Sequence, residues 1–365
     1  MSSSAFELRV FRYDLPLNRP FRAAGHTFEA RSGLLFRLQD EGYTYLAEAA
    51  PLPGFSAESL DDIIQHVKNE NRWPAFLLGN FPPFYDDDVP PALQFAYSTL
   101  WHERRARLDD ISLQKSVYAG AHGRLPVNAT LGIDDLSATL AQARKFYEDG
   151  FRTFKLKVGE DSGYEAEALR QLRETFPDVR LRIDANGAWQ PHQALHALMQ
   201  FAVSDIEYCE QPLPPEDEEG AAWLLPKTSV RIAADEAVRS LADAQRVLNQ
   251  RLANMLIIKP MLLGSINSFL DVLSLARNTR VPVVVTTALE AGIGRRTTAK
   301  LASLIPYPEH AHGLATGGLL KEDICPDGRL IKGGCYQVDA IQEPPVLDTM
   351  AESRLKPILQ TVFKA

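Results

Sequence analysis

Apolar and polar positions alternate with period two over Phe6-Glu-Leu-Arg-Val-Phe-Arg-Tyr13, over Gly33-Leu-Leu-Phe-Arg-Leu-Gln39 and over Tyr43-Thr-Tyr-Leu-Ala-Glu48. Such alternation predicts half-buried strands, and Asp40-Glu-Gly42 between the last two predicts a hairpin turn. The run over 17–28 carries no period and is expected to be a surface loop. The spacing turns helical over 59–69 and 91–106, where Leu93, Ala96 and Leu100 share one face. Strands followed by helices predict an α+β module, punctuated by Phe81-Pro-Pro-Phe84 and Val89-Pro-Pro-Ala92.

From about residue 125 the pattern becomes strand alternating with helix. Pro126-Val-Asn-Ala-Thr-Leu-Gly132 reads as a first strand and 137–150 as its helix, closed by Gly150 in the manner of a C-cap. Five short apolar segments follow, and each ends on charge: Lys155-Leu-Lys157, Asp184, Glu210, Asp235-Glu236 and Lys259. The steps from Lys157 to Asp184, Glu210, Asp235 and Lys259 are each about 25 residues, close to the ~30 of a strand with its returning helix. Val281-Pro-Val-Val-Val285 and His312-Gly-Leu-Ala-Thr-Gly317 bring the strand count to eight. An open parallel sheet spreads its strand ends along a line, whereas a closed barrel points all eight at one mouth. Five consecutive charged ends therefore predict an α/β fold with a TIM-like (β/α) barrel. The tail over 319–365 shows two short strand-like runs and a terminal helix, expected to return to the first module.

At 365 residues the chain has room for a barrel of ~250 residues and a smaller domain of about a hundred. A net charge of −8 argues against a nucleic-acid or anionic-membrane surface, both of which need a basic patch. Cys209, Cys325 and Cys335 form neither a CxxC pair nor an even-numbered framework, which fits a reducing cytoplasm. The first residues lack the basic start and apolar run of a signal peptide, and no uncharged apolar segment reaches the ~18 residues of a membrane span.

Lys155 and Lys157 lie two apart on a strand and so face one side. Two ammonium groups in one mouth disfavour each other's protonation, which would lower a pKa and free an amine as a base. The plainer reading is a strand whose lysines emerge into water. Asp184, Glu210 and Asp235 make an oxygen-rich set suited to a hard divalent ion, although each alone could cap a helix or pair with a cation. An anionic substrate would need such an ion or local cations. The glycines over 313–318 suggest a phosphate cradle but lack the GxGxxG order.

On Lys155-Leu-Lys157, Asp184-Ala-Asn186, Glu210-Gln-Pro212, Asp235-Glu236 and Lys259-Pro260, the chain resembles the enolase superfamily. The resemblance covers nearly all of the barrel and the preceding module. It implies a modified barrel closed by a capping domain of both chain ends, with 1–120 as cap, 121–318 as barrel and 319–365 returning to the cap. It also implies Mg²⁺, with Mn²⁺ as the alternative, held by Asp184, Glu210 and Asp235. Lys157 would be the base, Lys259 the group on the opposite substrate face, and Lys155 the residue that tunes Lys157. Asn186 and Glu236 would orient the ligands, or would simply bond at the strand ends.

Within that superfamily the chain is most similar to the o-succinylbenzoate synthases of the muconate lactonizing enzyme subgroup. The likeness rests on Leu256-Ile-Ile-Lys-Pro-Met-Leu-Leu-Gly-Ser265, Thr286-Thr-Ala-Leu-Glu-Ala-Gly-Ile-Gly294, His312-Gly-Leu-Ala-Thr-Gly-Gly-Leu-Leu320 and Ala47-Glu-Ala-Ala-Pro-Leu-Pro-Gly-Phe-Ser56. It implies a lyase that dehydrates a cyclohexadiene carboxylate on the menaquinone route. N-acylamino-acid racemases use the same lysine pair. Dipeptide epimerases do too, but typically carry an Asp-x-Asp where this chain has Ala315-Thr-Gly317. A barrel that has lost catalysis should have lost a lysine or a carboxylate, and none is replaced. Arg22, Phe55, Thr287, Glu290 and Gly317 are the expected substrate contacts, and Arg22 is the candidate partner of a second carboxylate. The pattern leaves the oligomeric state open.

Overall fold

The computed structural model describes residues 5–23, 26–80, 88–113, 115, 121–132, 135–305, 309–341 and 345–364. Strands β1 (Ala5–Ala23), β2 (His26–Asp40) and β3 (Tyr43–Ala49) open the chain. They form an antiparallel sheet, and the turn at Glu41 and Gly42 takes the positive φ angles of a tight hairpin. The loop expected over 17–28 is instead the outer half of the β1–β2 ribbon. Pairing slips between Pro16 and Phe21 and resumes at Phe21 with Phe28. Pro16 and Pro20 offer no N–H to the ladder. Asn18, Arg19, Thr27 and Glu29 are exposed, so no buried face imprints a period.

Helices α1 (Leu60–Asn69), α2 (Trp73–Leu78) and α3 (Pro91–Leu108) follow. Ser59 and Asp62 form a capping box that starts α1. α3 is buried on most of its circumference, including Leu93, Ala96 and Leu100, because it lies between β3 and the barrel. Its Ser98 Oγ accepts from Ile266 N at 3.1 Å.

The alternating region contains β4 (Arg124–Pro126), β5 (Ala129–Leu131), α4 (Leu136–Glu148), β6 (Thr153–Lys157), α5 (Ser162–Thr175), β7 (Arg180–Asp184), α6 (Pro191–Phe201), β8 (Ile206–Glu210) and α7 (Glu218–Leu224). It continues through β9 (Ile232–Ala234), α8 (Leu241–Asn249), β10 (Met255–Ile258), α9 (Pro260–Leu263), α10 (Ile266–Thr279), β11 (Val283–Val285) and α11 (Gly292–Ala302). β5 to β11 form one parallel sheet in chain order. The segment around His312 closes the ring: it bridges in parallel to Val127 on one side, and Gly313 bridges to Thr286 on the other. The expected first strand is split, since β4 leaves the barrel to pair with β13 while β5 stays in it.

β12 (Ile331–Lys332) and β13 (Cys335–Gln337) form a hairpin on β4, α12 (Thr349–Glu352) is a single turn, and β14 (Lys356–Lys364) pairs with β1. The terminal helix expected from sequence is therefore a strand. Thr361, Val362 and Phe363 favour extended backbone, and β1 offers an open edge. Among the described residues no helix is long and apolar enough to cross a membrane.

Tyr208, Ala233, Met255, Ile257 and Val284 form a cluster separate from the main core. Side chains alternate across a strand. Two residues beyond Lys155, Arg182, Tyr208, Ala233 and Ile257 the same alternation gives Lys157, Asp184, Glu210, Asp235 and Lys259. The packed interior thus ends, one layer up, in a ring of charge at the C-terminal mouth.

Candidate active site

β6 and β10 are the second and sixth positions of the eight, so Lys157 and Lys259 stand across the mouth from each other. Lys157 Nζ donates to Asp184 Oδ2 at 2.7 Å and to Asn186 Oδ1. Lys155 Nζ bridges Asp184 Oδ2 at 3.0 Å and Glu210 Oε1 at 2.9 Å. Lys259 Nζ donates to Asp235 Oδ1. Lys157 is 37% exposed, against 13% for Lys155 and 11% for Lys259, so it is the lysine most open to a ligand.

Electrostatics in this ring run against the expectation that the paired lysines disfavour each other's protonation, as Lys155 shows. Burial alone would lower the Lys155 pKa, but Asp184 and Glu210 outweigh it and raise Lys155 well above the ordinary lysine value. Lys259 is likewise raised, with burial opposed by Asp235 and Glu236. Carboxylates on the adjoining strands, Asp184 and Glu210, outweigh the like charge of the neighbouring lysine. Burial would raise Asp184 as well, yet Lys155 and Lys157 hold it below the usual range. Glu210 goes the other way, pushed up by burial and by the charge of Asp184. Asp235 is also raised, chiefly by burial.

As placed, no three His, Cys, Asp or Glu side chains among the described residues are gathered around one point, because lysine ammoniums stand between the carboxylates. The donor set nonetheless fits a hard divalent ion. Glu210 Oε2 is buried and finds no hydrogen-bond partner among the described residues, and the mutual repulsion of the three carboxylates calls for added positive charge.

Asn186 takes a left-handed backbone, receives Lys157 on Oδ1 and donates from Nδ2 to Glu236 Oε1 at 2.8 Å. It thereby links the ends of β6, β7 and β9. Two further residues at these ends carried no role in the sequence reading. Gln211 Oε1 accepts from Asp235 N at 3.0 Å and Ala237 N at 3.3 Å, tying the end of β8 to the end of β9. Glu165 Oε1 accepts from the backbone of Gly159, Glu160 and Asp161, fixing the turn that leaves Lys157. An acidic residue in the first turn of α5 was a visible signal for the second. Gln211 had none beyond its place in Glu210-Gln-Pro212.

The expected substrate contacts are dispersed. Phe55, from the cap, is buried with its ring centroid 5.3 Å from Lys259 Nζ. Thr287 Oγ1 lies 2.9 Å from Thr316 Oγ1, joining the seventh and eighth positions. Gly317 packs on the buried ion pair of Arg295 and Asp327, where an added Cβ would lie 2.8 Å from Arg295 Nη2. Glu290 is wholly buried, its Oε1 3.5 Å from Thr298 Oγ1, so it packs against α11. The Arg22 side chain lies outside the described residues.

Comparison with known proteins agrees with this architecture. Residues 138–344 match the family model described as enolase C-terminal domain-like, and residues 6–80 match that of the MenC N-terminal domain. An o-succinylbenzoate synthase of Thermosynechococcus vestitus is 32% identical over 299 residues, 78% of this chain and 84% of that protein. One from Mycolicibacterium smegmatis is 32% identical over 278 residues, 75% of this chain and 80% of that protein. The muconate lactonizing enzyme of Pseudomonas fluorescens, solved with muconolactone, shares the fold with a TM-score of 0.82 at 21% identity, covering 97% of this chain and 99% of that one. The chain therefore belongs to the o-succinylbenzoate synthase family of the enolase superfamily.

Proposed function

We propose that this chain is a lyase that converts 2-succinyl-6-hydroxy-2,4-cyclohexadiene-1-carboxylate to o-succinylbenzoate and water by syn elimination, a step of menaquinone biosynthesis. The observation that carries the chemistry is the placement of Lys157 and Lys259 across one mouth, with Asp184, Glu210 and Asp235 on the strands between them. The family supplies the substrate.

Asp184, Glu210 and Asp235 would hold Mg²⁺, or Mn²⁺ in its place. When bound there, the ion would supply Lewis acidity to the substrate carboxylate and positive charge that offsets the three buried carboxylates. Lys157, as the free amine, takes the proton from the carbon bearing the carboxylate, and the bond electrons pass into the carboxylate as an enolate. The C–O bond to the ring hydroxyl then breaks, and Lys157 returns its proton to that oxygen from the same face. Water leaves, and the ring becomes aromatic. Asn186 aims Lys157 throughout, and Glu236 holds Asn186. Lys259, kept cationic by Asp235, faces the opposite side of the ring, where an ammonium stabilises developing π density. Phe55 and Thr287 are the candidates for walls of the substrate chamber, with Gly317 and Glu290 packed behind them and Arg22 as the candidate for the succinyl carboxylate.

The same reading divides the chain into a cap over 1–120, a barrel over 121–318 and a returning segment over 319–365, for which the pairing of β14 with β1 speaks. A cytoplasmic place fits the three unpaired cysteines. The opposed lysines also suit racemisation of an N-acylamino acid, in which one removes and the other delivers the α-proton. The test is formation of o-succinylbenzoate from the diene carboxylate by purified protein. Folded protein that makes none, yet exchanges the α-proton of an N-acylamino acid, would move the reading to the racemase.

A further inference from the structure

Arg31, on β2 of the cap, is buried, and its five hydrogen bonds all go to main-chain carbonyls. Two of them lead into the turn that carries Phe55: Nη1 to Pro51 O at 2.7 Å and Nη2 to Ala50 O. Two more cross to the barrel, where Nη2 meets Ala288 O at 3.2 Å and Nε meets Leu289 O at 3.1 Å, directly after Thr287. The fifth goes to Ser32 O. A planar fork with fixed donor directions can hold several carbonyls at set angles, which a lysine cannot reproduce.

The barrel segment it grips is not relaxed. Leu289 has φ +59°, a region that a leucine rarely enters unless the surroundings hold it there. A second cap residue grips the same segment independently. Glu48 on β3 accepts from Ala291 N and Gly294 N, both at 2.8 Å, at the start of α11, and from Tyr13 Oη at 2.5 Å. An arginine and a glutamate from neighbouring strands β2 and β3 thus shape residues 288–294 from outside the barrel.

We propose that Arg31 is a positioning residue that sets the gap between the cap turn bearing Phe55 and the barrel loop bearing Thr287, and so sets the width of the substrate chamber. It touches no reacting atom. Lys157, Lys259 and the carboxylates are held by β6 to β10 and do not depend on it. The inference rests on the mouth being the substrate site, but its decisive readout does not depend on which substrate is used.

The test compares wild type with Arg31→Lys. Hydrogen–deuterium exchange should rise together in 50–56 and 286–294, while β6 to β10 keep wild-type protection. KM for the diene carboxylate should rise about tenfold with kcat held within about threefold, because the loss falls on substrate binding rather than on proton transfer. Unchanged exchange in both segments, or a rise in only one, overturns the proposal. So does a loss of kcat at unchanged KM. If wild type itself lacks turnover with that substrate, the substrate assignment has failed and the exchange result still decides the role of Arg31. Arg31→Gln, which adds no misplaced charge, serves if the lysine variant does not fold. Loss of fold in both would overturn the proposal by assigning Arg31 to the stability of the whole chain.

Discussion

Lys157 and Lys259 face each other across the barrel mouth, and each is bound to a carboxylate, Asp184 for the first and Asp235 for the second. One framework therefore presents an amine to each face of a substrate held in the mouth, which is what the proposed base and the proposed cation require. Replacing either by alanine should lower kcat by about a thousandfold or more, since positioned proton transfer and charge stabilisation each contribute ~10²–10⁴. Circular dichroism should remain near wild type, and Mg²⁺ should still bind, in both variants. Near-normal turnover in either would show that its role is misassigned.

Lys155 bridges Asp184 and Glu210, and Glu210 Oε2 already lacks a partner among the described residues. Lys155→Met should destabilise the chelator-treated protein by about 3–5 kcal/mol, the usual cost of leaving a buried charge unpaired. Added Mg²⁺ should raise the melting temperature of the variant more than that of wild type, because the ion replaces the missing charge. Equal shifts in the two proteins would contradict the carboxylates as the metal site.

In the lower part of the barrel, Arg182 is fully buried, stacks 4.7 Å from the Tyr208 ring and pairs with Glu207 at 2.5 Å. Burial would raise Glu207, but His310 and Arg182 hold it down to about 2. A depressed carboxylate adds stability above its unfolded pKa near 4.5 and loses it as pH falls toward 2. Glu207→Gln should therefore flatten the acid limb of stability between those values and cost about 3–5 kcal/mol at neutral pH through the stranded Arg182. Urea titrations across that pH range measure both effects.

Gly317 offers no room for a side chain, since a Cβ would meet Arg295 and Asp327 at 2.8 and 2.9 Å. Gly317→Ala should displace that buried pair and destabilise the fold by about 1–3 kcal/mol. The denaturation midpoint checks it, and an unchanged midpoint would mean that the Arg295 side chain yields without cost.

The barrel was legible because its strand ends repeat at a steady step and each carries charge, so Lys157, Asp184, Glu210, Asp235 and Lys259 could be placed on one rim from sequence. The outer β1–β2 ribbon was not, because a strand exposed on both faces leaves no hydrophobic period. β14 is not legible as a strand from its own sequence because its partner, β1, lies at the other end of the chain, and strand pairing is a long-range fact. Charge balance in the mouth was hidden for a related reason: Lys155 reads as a neighbour of Lys157 along the chain, but its contacts are carboxylates of β7 and β8. Arg31 gave no signal at all, since a guanidinium that binds only carbonyls matches no residue-type motif.

The central claim is tested most directly by following the diene absorbance of 2-succinyl-6-hydroxy-2,4-cyclohexadiene-1-carboxylate with purified protein, with chelator, and with Mg²⁺ restored. The absorbance should fall rapidly with Mg²⁺, hold steady with chelator, fall again on re-addition, and stay flat with Lys157→Ala. A steady absorbance with folded, Mg²⁺-loaded wild-type protein would contradict the synthase, and loss that persists in chelator would contradict the metal.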